Sequence, residues 1–194
     1  AGFLGHTREK IAGEKSAVAK PGSILICGET DPALVEIFEA AGADATLVLD
    51  RDFGCQSNTL AVGGRLLDLR TPAGDRQDVF LPLHGAHQGN NAAIALAAVE
   101  AFFGGARLAD DVVVEGFASV LSPGRLEVAG RHPLVVIDGA HNHAAALNLR
   151  EAVDETFDVE GLDVRDDVGP PADLVLHRLV VAELHPSTLP DCGP

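Results

Sequence analysis

Leu134-Val135-Val136-Ile137-Asp138-Gly139-Ala140-His141-Asn142 is a short apolar run that ends abruptly in concentrated chemistry. The first four residues favour β structure and are too few for a helix, and Pro133 fixes where they begin, so they predict a buried strand. Asp138 and His141 then fall at its carboxyl end, with Gly139 and Ala140 small enough for backbone to approach a ligand. An Ala- and Leu-rich helix is expected from Ala144 to Phe157. Ligands of open α/β sheets collect at that edge. On these residues alone, Asp138 reads equally well as a cap on the following helix.

Working outward, Ser122-Pro123-Gly124-Arg125-Leu126-Glu127 is a turn that carries one guanidinium, with a strand or hairpin expected between Arg125 and Asp138. Further back, Leu83-His84-Gly85-Ala86-His87-Gln88-Gly89-Asn90-Asn91 opens an Ala-rich helix. Near the start stand Ile11-Ala12-Gly13-Glu14-Lys15 and Lys20-Pro21-Gly22. In this order and spacing the stretches resemble the folylpolyglutamate synthase and dihydrofolate synthase branch of the Mur ligase family. That branch carries a Gly-x-His-Gln-x-x-Asn stretch, a Pro-Gly-Arg turn and an Asp-Gly-Ala-His-Asn strand end. The resemblance covers residues 1–157 and stops there.

Composition is that of a globular chain. Its 194 residues are 46% hydrophobic and 22% charged, enough for one good core or two small ones. The formal charge of −15 repels phosphate backbones and anionic lipid, which argues against nucleic acid as a partner. A nucleotide site would need its own local cations. Cys27, Cys55 and Cys192 have no metal or redox spacing, so reduced thiols and a cytoplasmic location are expected. No apolar run approaches the ~18 residues of a membrane span. With no methionine and Ala1 first, the chain does not read as a complete gene product.

In chain order, residues 7–18 predict an amphipathic helix ended by Pro21-Gly22. A buried strand at 23–27, a helix from Pro32 to about Ala41 and a strand at 45–49 form a β-α-β unit. Residues 59–62 and 65–69 flank Gly63-Gly64 as a hairpin, and Pro72-Ala73-Gly74-Asp75 turns into a strand at 78–83. Helices follow at 90–103, closed by Gly104-Gly105, and at 110–120. Gly28-Glu29-Thr30 lies at a ligand-facing strand end but lacks a phosphate-binding glycine pattern, and an internal layer without ligand is its plainer reading. The acidic stretch before Pro170 reads as solvated loop, and one apolar run, 174–184, precedes a Pro-rich end.

The resemblance implies an α/β fold: the second part of a Mur-ligase-type ATPase domain (1–121), a linker (122–133), and the start of a Rossmann-like C-terminal ligase domain (134–157), then a divergent tail (158–194). It implies an ATP- and magnesium-dependent amide ligase of folate biosynthesis and one-carbon metabolism, monomeric, that joins glutamate to folate or dihydropteroate through an acyl phosphate. Arg125 would reach the nucleotide phosphates, its alternative being a surface salt bridge. Gln88 and Asn91 would read the adenine edge, their alternative being helix capping. Asp138 and His141 would contact ribose and phosphates. Lys15 would be carbamylated and serve the magnesium ion, or else would simply pair with Glu14 or Glu9. His143 stands where the family usually has proline. The chain has no Gly-x-x-x-x-Gly-Lys-[Ser/Thr] phosphate loop, so it is expected to be inactive alone. Rival readings are a non-catalytic or truncated nucleotide-binding remnant and a peptidoglycan Mur ligase; Gln88 and Gly139-Ala140-His141-Asn142 favour the folate branch.

Overall fold

The computed structural model describes residues 7–131, 134–140, 143–157 and 178–182. Their contacts divide the chain into two units, one built from residues 1–81 and 88–119, the other from 82–87 and 120–194.

In the first unit, α1 (Arg8–Ser16) starts at Thr7, whose hydroxyl accepts from the Lys10 N–H as an N-cap. The helix ends at Ser16, short of Pro21-Gly22, with Ala17 as its C-cap. It is also less amphipathic than expected: Ala12 and Ser16 are buried, whereas Ile11 and Val18 are exposed. β1 (Ile24–Cys27), α2 (Pro32–Glu39) and β2 (Ala45–Val48) form the anticipated β-α-β unit, with β1 and β2 parallel and in register from Ile24–Ala45 to Cys27–Val48. Asp31 caps α2 through the Ala33 N–H, and Pro32 occupies the first turn, where its missing donor costs nothing. Cys27, Val35 and Val48 pack together with Phe38 beside them, while Ile24 stays exposed, so β1 is buried only at its carboxyl end.

β3 (Gly54–Ala61), β4 (Gly64–Thr71) and β5 (Gly74–Leu81) make an antiparallel sheet with β4 in the middle. Gly63, at φ +78°, makes the tight β3–β4 turn that its neighbours with side chains would resist. Leu67 and Leu69 on β4 are fully buried, as is Phe53 just before β3. β3 and β5 both begin earlier than sequence suggests, in polar stretches whose apparent mismatch with a core is resolved by pairing. Arg65 on β4 is buried against Asn58 on β3, with its Nε donating to the amide oxygen. α3 (His87–Phe102) and α4 (Asp110–Ala118) follow. Gly28 gives α3 room: a Cβ there would come within 2.8 Å of Ile94 Cδ1.

In the second unit, β6 (Glu127–Arg131), β7 (Leu134–Asp138) and β8 (Arg178–Ala182) form an antiparallel sheet in that order, and α5 (His143–Phe157) follows β7. Leu126, Val136, Ala140, Leu149, Ala152 and Val153 make its core. The hairpin expected between Arg125 and Asp138 is β6–β7. Two features depart from expectation. The domain was expected to stop after one strand and one helix, but β8 comes from the tail, beyond the reach of the resemblance, and pairs with the full length of β7. The segment 82–87 also joins this unit rather than the first. Among the described residues, no helix is long and apolar enough to cross a membrane.

Candidate functional site

The turn before β6 and the end of β7 are knitted into one piece. The Arg125 N–H donates to the Ser122 carbonyl at 3.1 Å, and the Gly124 N–H donates to Glu127 Oε2 at 2.8 Å. Gly139 then donates its N–H to the Gly124 carbonyl at 2.8 Å, bridging strand end and turn. Asp138, 9% exposed, accepts from the Leu126 N–H through Oδ2 (2.9 Å) and from the Ala140 N–H through Oδ1 (2.7 Å). Burying a carboxylate is costly unless its oxygens are bonded, and here both are.

Arg125 sits on top of this frame. It is exposed, and among the described residues its guanidinium has no ion-pair partner. It lies across Gly139 so closely that a Cβ there would stand 3.3 Å from Nη1. Both neighbours of Arg125 have left-handed backbone, Gly124 at φ +70° and Leu126 at φ +48°. For a buried leucine the second value is a strained conformation, which the surrounding bonds must maintain.

This changes what Asp138 does. It does not cap the following helix, since α5 begins only at His143. Both of its oxygens accept from backbone N–H groups, one in the turn and one past the strand end. His141, the other residue expected at this strand end, and Asn142 lie outside the described residues.

In the first unit, α3 starts at His87, so Gln88 and Asn91 lie inside its first turns and do not cap a later helix. Asn91 Nδ2 donates to Gln88 Oε1 at 3.0 Å. That bond leaves Nε2 of Gln88 as a donor and Oδ1 of Asn91 as an acceptor, the complement of an adenine edge. Gln88 is buried and Asn91 exposed.

Lys15 is exposed on α1. Among the described residues no group of three or more His, Cys, Asp or Glu could hold a metal ion.

The loop after β1 is closed by its own carboxylate. Glu29 Oε1 accepts from the Thr30 and Asp31 N–H groups at 3.0 Å each, and Arg8 pairs with Oε2 at 3.2 Å. The Asp31 N–H, ahead of Arg8, holds the Glu29 carboxyl below the usual range. The N–H groups of Thr30 and Asp31 are therefore already bonded to the loop's own carboxylate.

Sequence reasoning missed Glu127, which secures Gly124, and the left-handed Leu126. Glu127 gave a faint signal as an acid three residues after a turn glycine. Leu126 gave none.

No protein-family model matches the chain. It is 40% identical over 168 residues to the dihydrofolate synthase/folylpolyglutamate synthase of Mycobacterium tuberculosis, covering 80% of this chain and 34% of that protein. In structure it matches Mycobacterium tuberculosis folylpolyglutamate synthase complexed with ADP, with a TM-score of 0.75 and 42% identity over 82% of this chain and 37% of the other. It also matches a folylpolyglutamate synthase complex with AMPPCP and folate, with a TM-score of 0.73 and 32% identity over 81% of this chain and 40% of that one. The chain thus resembles folylpolyglutamate and dihydrofolate synthases, as the motifs suggested, and spans about a third of the length of the M. tuberculosis relative.

Proposed function

We propose that this chain forms part of an ATP-dependent ligase that joins the amine of glutamate to a folate or dihydropteroate carboxylate by way of an acyl phosphate. The observation that carries the reading is the exposed guanidinium of Arg125, without an ion-pair partner among the described residues, in a chain of net charge −15 whose matched relatives include ADP and AMPPCP complexes. ATP would supply the phosphoryl group that activates the carboxylate. The residues of this chain would bind and orient. Arg125 neutralises phosphate charge as a planar fork, a task for which its geometry suits it better than an ammonium. Gln88 and Asn91 present a donor and an acceptor to the base. Phosphoryl transfer needs positioning and charge neutralisation above all, and these groups provide part of both.

No step is assigned to magnesium or to Lys15. For the 194 residues alone we expect nucleotide binding without turnover: the sequence has no phosphate loop, and the described residues no metal cluster. Asp138 and His141 are proposed as contacts to the ribose and phosphates of the nucleotide.

The test is a chimaera in which the 168 matched residues replace their counterpart in the M. tuberculosis relative. Labelled glutamate should appear in tetrahydrofolate or dihydropteroate product. A folded chimaera that binds ADP but makes no such product would sink the ligase reading.

A further inference from the structure

We infer that Asn58 is a positioning residue for the Gln88–Asn91 pair: the buried Arg65 on β4 locks the Asn58 amide against Gly89, and so fixes where the start of α3 presents those two side chains. The inference rests on the proposed reading of Gln88 and Asn91 as the groups that meet the base.

Three features of the first unit meet at this point. Arg65, 3% exposed, donates from Nε to the side-chain oxygen of Asn58, and its Nη2 lies 3.4 Å from the Asn58 carbonyl. A guanidinium can only donate, so the amide oxygen must face Arg65 and Nδ2 must face away from it. Nδ2 is the atom that meets α3: a Cβ at Gly89 would stand 2.5 Å from it, and 2.8 Å from Cys55 Sγ. The Cys55 thiol is held in turn by its bond to the Ser57 carbonyl at 3.1 Å. Neither contact is the loose end of a long side chain. Both residues are half-buried on β3 and each is tied by a hydrogen bond, so the buried backbone at Gly89 is seated directly on that strand.

Gly89 follows Gln88 and precedes Asn91 by two positions. At about 100° per residue it lies to the side of, and behind, the face that Gln88 and Asn91 share. The bond between those two, 3.0 Å from Asn91 Nδ2 to Gln88 Oε1, is an i,i+3 contact on a helix, which by itself is worth no more than thermal energy. It selects which atoms are left to meet a base and does not fix where they stand. A donor and an acceptor must reach the base edge together, so a small slide or roll of the helix start loses one bond or both. The seat that Asn58 and Cys55 provide limits that motion.

The experiment uses the whole 194-residue chain and three variants. Asn58→Ala removes the amide, Asn58→Asp keeps an oxygen for Arg65 at the same size, and Gly89→Ala pushes on the seat from the helix side. Without nucleotide, nitrogen-15 relaxation should show the side-chain amides of Gln88 and Asn91 more mobile in Asn58→Ala and parent-like in Asn58→Asp, and their resonances should be displaced in Gly89→Ala. In titrations, Asn58→Ala should weaken ADP by roughly 5-fold or more and GDP, whose base offers a different edge, by less than about twofold. Asn58→Asp should restore the preference for ADP. A substitution that only loosens the fold weakens both nucleotides alike. Once Gln88 and Asn91 are both alanine, Asn58→Ala should cost ADP nothing further, because residues acting through one another do not add.

Unchanged Gln88 and Asn91 amides in Asn58→Ala overturn the inference. So does an equal loss of ADP and GDP affinity, or a penalty that persists in the Gln88→Ala/Asn91→Ala background. If the parent chain does not prefer ADP to GDP, or keeps its preference when Gln88 and Asn91 are both alanine, it is the base-reading role of that pair that fails. The relaxation measurements then decide the positioning role by themselves. Should Asn58→Ala not fold, Gly89→Ala carries the test, and Gln88 and Asn91 amides left in place in that variant overturn the proposal.

Discussion

Arg76 on β5 donates from Nη2 to Glu100 Oε1 on α3 at 2.9 Å, with each side chain 3% exposed. The pair is the hub of a buried network. Thr71 on β4 donates its hydroxyl to the other Glu100 oxygen. Arg76 Nη2 also reaches the Leu108 carbonyl at 3.0 Å, and its Nε lies 2.9 Å from Asp110 at the start of α4. Sheet and helices of the first unit are thus held by charge as well as by leucines. Removing one partner strands the other in a low-dielectric interior, so Glu100→Leu should cost about 3 kcal/mol or more. Adding Arg76→Met should recover most of that loss. Urea unfolding of the two variants checks it, and a single-variant cost below about 1 kcal/mol would mean that the pair is incidental.

Two glycines on helices should respond oppositely to alanine. At Gly89 on α3 a Cβ would stand 2.5 Å from Asn58 Nδ2 and 2.8 Å from Cys55 Sγ, so Gly89→Ala must push those two side chains of β3 aside. A net loss of about 1–3 kcal/mol is expected despite alanine's better helix propensity. At Gly13 on α1 nothing lies within 4 Å, and Gly13→Ala should stabilise by up to about 1 kcal/mol. Thermal melts of both variants, compared in sign, test this.

Glu29 makes the first unit sensitive to acid. Backbone N–H groups, first that of Asp31, and Arg8 favour its charged form, so its carboxyl titrates lower in the folded chain than in the unfolded one. The stabilisation it gives is fully present above the unfolded value, about 4.3 for a glutamate, and is lost as pH falls through the lower folded value. Glu29→Gln should therefore be less stable than the parent at neutral pH and should converge with it near pH 3. A stability gap that stays constant between the two conditions would contradict the assignment.

For Arg125, alanine should lower turnover of the active chimaera by on the order of 10²-fold or more, since it removes charge neutralisation from the transferring phosphoryl group. Lysine should rescue only in part, because the fork is lost. Steady-state rates of glutamate ligation measure both, and full activity in Arg125→Ala would take it out of the site.

Much of the local architecture was legible in the chain because its signals are local. Pro32 after Asp31 marks the start of α2, Gly63-Gly64 marks the β3–β4 turn, Gly104-Gly105 stops α3, and the run 134–137 makes β7. Where the sequence misled, a polar residue was satisfied by something distant. Asp75, Arg76 and Gln77 look like turn or loop, yet they lie in β5 because Arg76 finds Glu100 twenty-four positions away. The tail looked divergent, but one apolar run in it pairs along β7, a match set by register and not by motif.

The same division runs through the candidate site. Sequence alone determined the likeness, since Pro-Gly-Arg, His-Gln-x-x-Asn and Asp-Gly-Ala-His-Asn are residue types in an order that the comparisons bear out as a likeness to folylpolyglutamate synthases. Tertiary structure decided how the turn around Arg125 and the end of β7 are tied to each other. A carboxylate at a strand end can cap a helix, touch a ribose or brace a turn. For Asp138 the structure shows bonds from the N–H groups of Leu126 and Ala140, a matter of backbone geometry that no side-chain pattern encodes.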